Sequence, residues 1–317
     1  MIDVSKKIIG TYPTMITPYQ NNGEVDLGAV KALTEWYYAN GCEGIFAVCQ
    51  SSEIHYLSLA DRVKIAKTVK DTADSLAKQF NRPMGVVASG HVSYDKNDQV
   101  FELNSIADTG VDSLILISNR MDTPNTSDEN WIKDTEYLME KVNNDVPLGV
   151  YECPTPYKRL LSDKMLEFCA KSNRFAFMKD TCCDAEVIKR RVKILEGSNM
   201  KLLNANAQTL LDSLKSGGAG YCGIMANFHP KLYVWLCNNF DKNPQIAELL
   251  QSFLGTSAFT EQLAYPCTAK FHLKEIEKLP IQTYFSRSRN EKELTPYHKD
   301  CIIQMNTLAN YMKNLIN

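Results

Sequence analysis

The stretch VPLGVYECPTPYKRLLSDKMLEFCAKSNRFAFMKD, residues 146–180, holds one repeat of the pattern that decides the fold. Two short apolar runs, Val146–Glu152 and Phe175–Asp180, flank a helical segment that begins at Ser162, a residue type that favours helix N-caps. Short apolar runs are typical of strands that are buried on both faces of a parallel sheet. The stretch therefore predicts a strand, a crossover helix and a second, parallel strand.

The same alternation extends over the first 240 residues. Helix signals separate the apolar runs, for example Asp26 as an N-cap and Ser58 followed by Asp61. Eight such units predict an α/β chain folded as a (β/α)8 TIM barrel, and a doubly wound sheet is the main alternative. The even spacing of the units favours the closed barrel. The other six strand candidates are Ile8–Thr17, Gly44–Cys49, Pro83–Ser89, Asp112–Ser118, Lys201–Asn206 and Gly220–Met225.

The alternation of strand and helix patterns ends near residue 240. Segments 243–255, 260–279 and 295–317 have helical patterns with no strands between them, and the last begins with Thr295 as N-cap and Pro296 at the first helical position. We therefore expect two units: a catalytic (β/α)8 barrel at residues 1–240 and a C-terminal helical region at residues 241–317.

Composition excludes several classes of protein. The 317 residues are 44% hydrophobic and 23% charged with a net charge of -2, which gives no sign of binding to nucleic acid or to an anionic membrane. No apolar stretch approaches the roughly 20 residues of a membrane-spanning helix, and the N-terminus lacks a secretory signal, so we expect a cytoplasmic protein. The ten cysteines contain no CxxC pair and the five histidines are scattered, so we expect reduced thiols and no metal site.

Lys179 closes the sixth predicted strand, on the same face as Phe175 and Phe177. Active sites of (β/α)8 barrels lie at the C-terminal ends of the strands. An ammonium group there loses hydration, which disfavours its charged form, and a partly neutral lysine is a nucleophile for carbonyl groups. The alternative is a strand-end lysine whose head group remains in water.

Two further elements favour chemistry at this end. Tyr151 closes the fifth strand and should stand beside Lys179, where a phenol can relay protons; the alternative is a packed core tyrosine. The segment CQSSE, residues 49–53, follows the second strand and offers donors to a carboxylate, unless it is an ordinary polar turn.

Four segments in register resemble the dihydrodipicolinate synthase / N-acetylneuraminate lyase family, whose members are class I Schiff-base aldolases on (β/α)8 barrels. These segments are CQSSE (49–53), YECP (151–154), FMKDTCCD (177–184) and GYCGIMANFHP (220–230). The resemblance covers essentially the whole chain. It implies that Lys179 forms an imine with pyruvate, that Tyr151 relays protons, that Gln50 and Ser51 hold the pyruvate carboxylate, and that Cys222 lies near the bound pyruvate.

The resemblance also implies a reaction and its partners. We expect a pyruvate-dependent aldolase or lyase, with an aldehyde as second substrate, no metal or organic cofactor, and a homo-oligomer (tetramer or dimer). The alternatives are a 2-keto-3-deoxy sugar acid aldolase, a hydratase-aldolase of the same family, or a 2-oxo acid binding protein without turnover.

The chain departs from the family at the residues that select the second substrate. Pro156 stands where the synthases have an arginine, and Met121 is the nearest equivalent of a tyrosine that they borrow from an adjacent subunit. Asn204 and Asn206 stand where the lyases have an acidic pair. The sequence therefore does not name the aldehyde. Three nearby cations are interpreted as solvated loop charges, and the alternative is that one of them replaces the missing arginine; they are Arg120, Lys158 and Arg159.

Overall fold

Eight parallel strands form one sheet in a computed structural model that describes residues 8–316. The strand order is β1-β8-β7-β6-β5-β4-β3-β2. Thr14 bridges to Phe46 in parallel, and the Met15 amide donates to the Phe46 carbonyl at 3.1 Å, which connects the two ends of the sheet. The predicted (β/α)8 barrel is thereby confirmed. The strands are β1 Gly10–Thr11, β2 Gly44–Val48, β3 Gly85–Ser89, β4 Ser113–Ile117, β5 Leu148–Tyr151, β6 Phe175–Asp180, β7 Lys201–Asn204 and β8 Gly220–Tyr221.

The first strand is shorter than the apolar run that predicts it. The run Ile8–Thr17 contributes only Gly10–Thr11 to the continuous ladder. Pro13 has no backbone N–H to donate, so regular pairing cannot continue through it.

Helices follow the strands as the alternation predicts. The Asp26 side chain accepts from the Ala29 amide, Ser58 accepts from Asp61, and Ser162 accepts from Met165. These three N-caps confirm the helix starts that the sequence predicts. The barrel helices are α1 Leu27–Ala39, α2 Leu59–Phe80, α3 Lys96–Ala107, α4 Asp128–Lys141, α5 Asp163–Lys171, α6 Ala185–Ile194, α7 Leu210–Lys215 and α8 Pro230–Asn239.

Aromatic side chains fill the inside of the barrel. The ring centroid of Phe177 lies 5.8 Å from that of Tyr12 and 6.0 Å from that of Phe46. Gly44 makes room for this layer, because a Cβ atom there would lie 2.1 Å from Tyr12 Cε1. The interior is a packed core, and its C-terminal end opens into a cavity.

The C-terminal helical appendage is present, with α9 Pro244–Ser257, α10 Cys267–Phe271 and α11 Pro296–Leu315. Thr295 caps α11 and Pro296 begins it, as predicted. The predicted helical segment 260–279 is wrong in its extent, since α10 covers five residues and continues as a π turn over His272–Ile276. Pro266 has no N–H for a helical hydrogen bond, so a helix cannot run through it unbroken.

No helix within residues 8–316 is long and apolar enough to cross a membrane. The same residues contain no group of three or more histidine, cysteine, aspartate or glutamate side chains arranged to hold a metal ion. The sequence predicts no signal peptide at the N-terminus. Residues 1–7, on which this prediction falls, lie outside the described part of the chain.

Candidate active site

Tyr151 and Lys179 are paired in register on the adjacent strands β5 and β6. Lys179 Nζ lies 4.3 Å from the centroid of the Tyr151 ring and 5.9 Å from that of Phe46. The Lys179 side chain is only 5% exposed. The structure therefore brings together the amine and the phenol that the sequence predicts at this end of the barrel.

The neighbouring residues on both strands point the other way, as alternation requires. Glu152 and Asp180 are both fully buried and form ion pairs with Arg191, which lies 2.9 Å from Glu152 through Nη2 and Oε1 and also contacts Asp180. Asp180, the carboxylate next to Lys179 in the sequence, is therefore already paired with Arg191. No carboxylate of the described chain forms an ion pair with Lys179 Nζ, so its head group is available to a ligand.

Burial raises the pKa of Tyr151 well above its ordinary value, and the neighbouring Cys153 thiol adds to the effect. The phenol is therefore protonated at neutral pH. A protonated phenol beside an amine can donate a proton to an oxygen that leaves the carbon under attack.

The turn after β2 contributes two of the predicted residues. Gln50 and Ser51 belong to a short 3₁₀ turn, Gln50–Ser52, and both line the cavity. Gln50 Oε1 accepts from Cys153 Sγ at 3.3 Å, which leaves the amide NH2 group to donate elsewhere. Ser51 Oγ donates to Thr14 Oγ1 at 3.1 Å. Both side chains are positioned by the barrel before any ligand arrives.

Ser52 has a different role from its neighbour. It is fully buried, and its hydroxyl contacts the carbonyls of Met15 at 2.7 Å and Ala47 at 3.0 Å and accepts from the Cys49 amide at 3.1 Å. These contacts hold the turn against β2, with Ser52 away from the cavity.

Cys222, on the segment that follows β8, is the last of the predicted site residues. It is fully buried after β8 and is not among the residues that line the cavity. Burial raises the pKa of its thiol to about 12, and the positive charge of Lys179 opposes the shift. The charge of Lys179 thus acts on the Cys222 thiol. Contact between Cys222 and the substrate stays a prediction.

The cavity has a volume of about 270 Å³, near the lower end for small-molecule sites. Its lining combines the ends of β5 and β6, the turn after β2 and residues from the C-terminal region. The lining residues are Gln50, Ser51, Glu53, His55, Tyr56, Tyr151, Pro154, Thr155, Lys179, Ile224, Tyr265, Pro266 and Ser288.

The C-terminal region supplies cavity residues that the sequence does not predict. Ser288 joins the wall through Glu53, whose Oε1 accepts from the Ser288 amide at 2.7 Å and from the Ser286 hydroxyl at 2.7 Å. Lys270 Nζ lies 3.4 Å from Glu53 Oε2 and is fully buried. No local sequence motif predicts these contacts, because they join residues more than 200 positions apart in the chain.

Two of the three cations interpreted as solvated loop charges are buried, so that interpretation is wrong for them. Arg159 is 5% exposed and pairs with Asp122 at 3.1 Å. Arg120 is also 5% exposed. Lys158 is exposed, as expected. Position 156 carries an exposed proline, so no cation is present there.

Comparisons with known proteins agree with this architecture. The family model described as "Dihydrodipicolinate synthetase family" matches residues 7–93. The chain is 24% identical over 229 residues to a 4-hydroxy-tetrahydrodipicolinate synthase of Coxiella burnetii, covering 72% of this chain and 73% of the relative. It is 21% identical over 310 residues to a 4-hydroxy-tetrahydrodipicolinate synthase of Methanothrix thermoacetophila, covering 96% and 99%.

Solved structures share the whole fold. A Ruminococcus gnavus sialic acid aldolase, a catalytic lysine mutant, matches with a TM-score of 0.84 and 16% identity over 98% of this chain and 99% of that one. An Acinetobacter baumannii dihydrodipicolinate synthase complexed with pyruvate matches with a TM-score of 0.81 and 21% identity over 96% and 99%.

Fold and site define a (β/α)8 barrel protein with a buried lysine–tyrosine pair that faces a small cavity at the C-terminal end of the strands. The matches confirm the resemblance of the chain to the dihydrodipicolinate synthase / N-acetylneuraminate lyase family. The relatives from Coxiella burnetii and Methanothrix thermoacetophila are both named as 4-hydroxy-tetrahydrodipicolinate synthases.

Proposed function

We propose that this protein is a pyruvate-dependent class I aldolase or lyase, similar to dihydrodipicolinate synthase, that forms a Schiff base at Lys179. One observation carries the proposal: Lys179 is paired in register with Tyr151, faces a cavity and has no carboxylate partner among the described residues. A lysine side chain that forms no ion pair is free to attack a carbonyl carbon.

The reaction begins when the neutral amine of Lys179 attacks the ketone carbon of the 2-oxo acid and forms a C–N bond. Tyr151 donates a proton to the resulting hydroxyl group, which leaves as water as the nitrogen lone pair forms the imine. The protonated imine then draws electrons from C3. In the addition direction, C3 gives a proton to the Tyr151 phenolate and attacks the carbonyl carbon of an aldehyde, whose oxygen then takes that proton from the phenol. In the cleavage direction, the hydroxyl on C4 gives its proton to the phenolate as the C3–C4 bond breaks, and the aldehyde leaves.

The turn after β2 supplies the carboxylate contacts. The Gln50 amide NH2 group and the Ser51 hydroxyl border the same cavity as Lys179. The amide can donate to the carboxylate of the bound 2-oxo acid directly, and the hydroxyl can do so by rotating its proton from Thr14 Oγ1 to the ligand. We also propose that Cys222 lies near the bound pyruvate.

The relatives support the choice of 2-oxo acid. The Acinetobacter baumannii structure is described as complexed with pyruvate, and its fold covers 96% of this chain. We further propose that residues 1–240 carry the chemistry, that residues 241–317 complete the cavity wall, and that the protein is a homo-oligomer. The cytoplasmic location stays a prediction.

Mass spectrometry after incubation with pyruvate and borohydride tests the Schiff base. We expect one reduced pyruvyl adduct on the wild-type chain and none on Lys179→Ala. Lys158→Met is the control, because Lys158 is exposed and does not line the cavity, so this variant should fold and keep the adduct. No wild-type adduct, or an adduct that survives Lys179→Ala, would refute the proposal. An adduct without turnover on a panel of aldehydes would indicate a 2-oxo acid binding protein.

A further inference from the structure

A single hydrogen bond holds the side chain of Gln50. Cys153 Sγ donates to Gln50 Oε1 at 3.3 Å, and within residues 8–316 the Gln50 side chain makes no other hydrogen bond. Gln50 follows β2 and Cys153 follows β5, and the strands β3 and β4 lie between them in the sheet. The bond therefore spans the C-terminal end of the barrel and joins residues 103 positions apart.

The Cys153 thiol is a fixed hydrogen-bond donor. Cys153 is fully buried, and burial raises the pKa of its thiol above the ordinary value, so the sulfur keeps its hydrogen at neutral pH. Its backbone is held on both sides, because its amide donates to the Tyr151 carbonyl at 2.9 Å and its carbonyl accepts from Asn119 Nδ2 at 2.9 Å. The thiol thus meets Gln50 from a position that the barrel determines.

An amide side chain has two ends of nearly equal size and opposite hydrogen-bonding character. The oxygen accepts and the NH2 group donates, and half a turn about the last torsion exchanges them with little change in packing. Beside a carboxylate, the NH2 group attracts and the oxygen repels. A donor that holds the amide oxygen therefore decides which of the two ends Gln50 presents to the cavity that it lines.

We infer that Cys153 is a positioning residue whose thiol orients the Gln50 amide, so that its NH2 group meets the carboxylate of the 2-oxo acid. This inference rests on the proposed function, since it explains how one of the carboxylate contacts is oriented. Cys153 is not among the residues that line the cavity, so it acts on the ligand through Gln50. The fixed orientation also gives specificity, because a donor selects a carboxylate over a neutral carboxamide.

Cys153→Thr and Cys153→Val are a matched pair, since the two side chains have the same shape and only threonine keeps a donor. Pyruvate and its neutral analogue pyruvamide are titrated by calorimetry into wild-type protein and both variants. We expect Cys153→Val to bind pyruvate about threefold to tenfold more weakly than the wild type, the effect of one lost hydrogen bond. Its preference for pyruvate over pyruvamide should fall, because the amide can then turn. Cys153→Thr should retain both properties.

Gln50→Ala separates positioning from packing. Without the amide the thiol has nothing to orient, so Cys153→Val and Cys153→Thr should bind pyruvate equally well in the Gln50→Ala background. Borohydride trapping over a range of pyruvate concentrations gives a second readout. Cys153→Val should raise the half-saturating concentration and leave the maximal rate of adduct formation unchanged, because Lys179 and Tyr151 stay in register.

Equal affinities of the wild type and Cys153→Val for pyruvate would overturn the inference. So would equal losses in Cys153→Val and Cys153→Thr, or a loss that persists in the Gln50→Ala background, because the thiol would then act by its volume alone. A lower maximal rate in Cys153→Val would also overturn it, since the thiol would then take part in the chemistry. If the matched pair fails to fold, Cys153→Ser and Cys153→Ala decide by the same titrations.

Failure of the proposed function gives a different result. A wild-type protein that binds pyruvate but yields no borohydride adduct refutes the Schiff base and leaves the titrations of the variants valid. A wild-type protein that does not bind pyruvate overturns the carboxylate contact of Gln50 and this inference with it.

Discussion

Tyr151 and Lys179 are register partners on adjacent parallel strands, and the Lys179 ammonium nitrogen lies 4.3 Å from the centre of the Tyr151 ring. Parallel strands keep this relationship fixed, because the backbone hydrogen bonds between β5 and β6 determine which side chains stand side by side. The pair is therefore positioned by the most rigid part of the fold.

Tyr151→Phe should slow formation of the pyruvate adduct by about a hundredfold or more, because it removes the proton donor. The ring and its edge contact with Phe46, at 5.6 Å between centroids, remain, so the unfolding temperature should change little. Quenched-flow trapping with borohydride measures the rate. A variant that forms the adduct at the wild-type rate would exclude Tyr151 as the proton relay.

Ser51 and Ser52 offer a matched pair of substitutions in one turn. Ser51→Ala should weaken pyruvate binding about tenfold, because its hydroxyl borders the cavity, and should lower stability less than Ser52→Ala, because that hydroxyl donates only to Thr14. Ser52→Ala should lower the free energy of unfolding by about 1–3 kcal/mol, because its buried hydroxyl has three backbone partners. Titration with pyruvate and urea denaturation measure the two effects. The same loss of affinity in both variants would argue against a carboxylate contact by Ser51.

The Glu53–Lys270 pair ties the C-terminal region to the turn that holds Gln50 and Ser51. Burial lowers the pKa of Lys270 to about 8, and the negative charge of Glu53 opposes the shift. Glu53→Gln or Lys270→Met alone should cost about 3–5 kcal/mol of unfolding free energy, because each leaves its partner buried and uncompensated. The double variant should cost clearly less than the sum, as denaturant unfolding would show. Strictly additive losses would mean that the two groups do not stabilise each other.

Glu261 gives a prediction about pH. Burial raises the pKa of this carboxyl to about 7, and the positive charge of Lys179 opposes the shift. A carboxyl group whose pKa is higher in the folded than in the unfolded state binds more protons when folded, so its ionisation lowers stability as the pH rises from about 4.5 to about 7. Glu261→Gln cannot ionise. Its unfolding temperature relative to the wild type should therefore increase across this range.

The control for this prediction is Glu136→Gln. Glu136 is exposed on α4, so its stability curve should run parallel to that of the wild type at every pH. A Glu261→Gln curve that also stays parallel would show that the Glu261 carboxyl titrates alike in the folded and unfolded states.

Much of the fold can be predicted because its signals are local. Ser162 and Thr295 cap helices through hydrogen bonds to residues three positions further along the chain, so the pattern is visible in a few letters. Alternation along a strand likewise predicts that Phe177 and Lys179 share a face. The continuous helix predicted for residues 260–279 fails at Pro266, where one residue overrides the surrounding helical pattern.

The candidate site could be predicted only in part. Lys179 and Tyr151 meet because consecutive parallel strands are neighbours, a rule that needs no coordinates. The burial of Arg120 carries no sequence signal, because an arginine after a strand is solvated or buried depending on which distant segments cover it. The contact of Cys222 with substrate rests on its motif alone and stays a prediction, because Cys222 is buried and is not among the residues that line the cavity.

The sequence by itself determined the repeating strand–helix order, the helix caps and the lysine–tyrosine pair, since each depends on residues close in the chain or on neighbouring strands. Only the tertiary structure decided which residues complete the cavity, how Ser288 and Lys270 reach Glu53, and that Arg120 is buried without a counter-charge. The physical reason is that burial and ion pairing depend on the three-dimensional path of the chain, which brings together residues more than 200 positions apart.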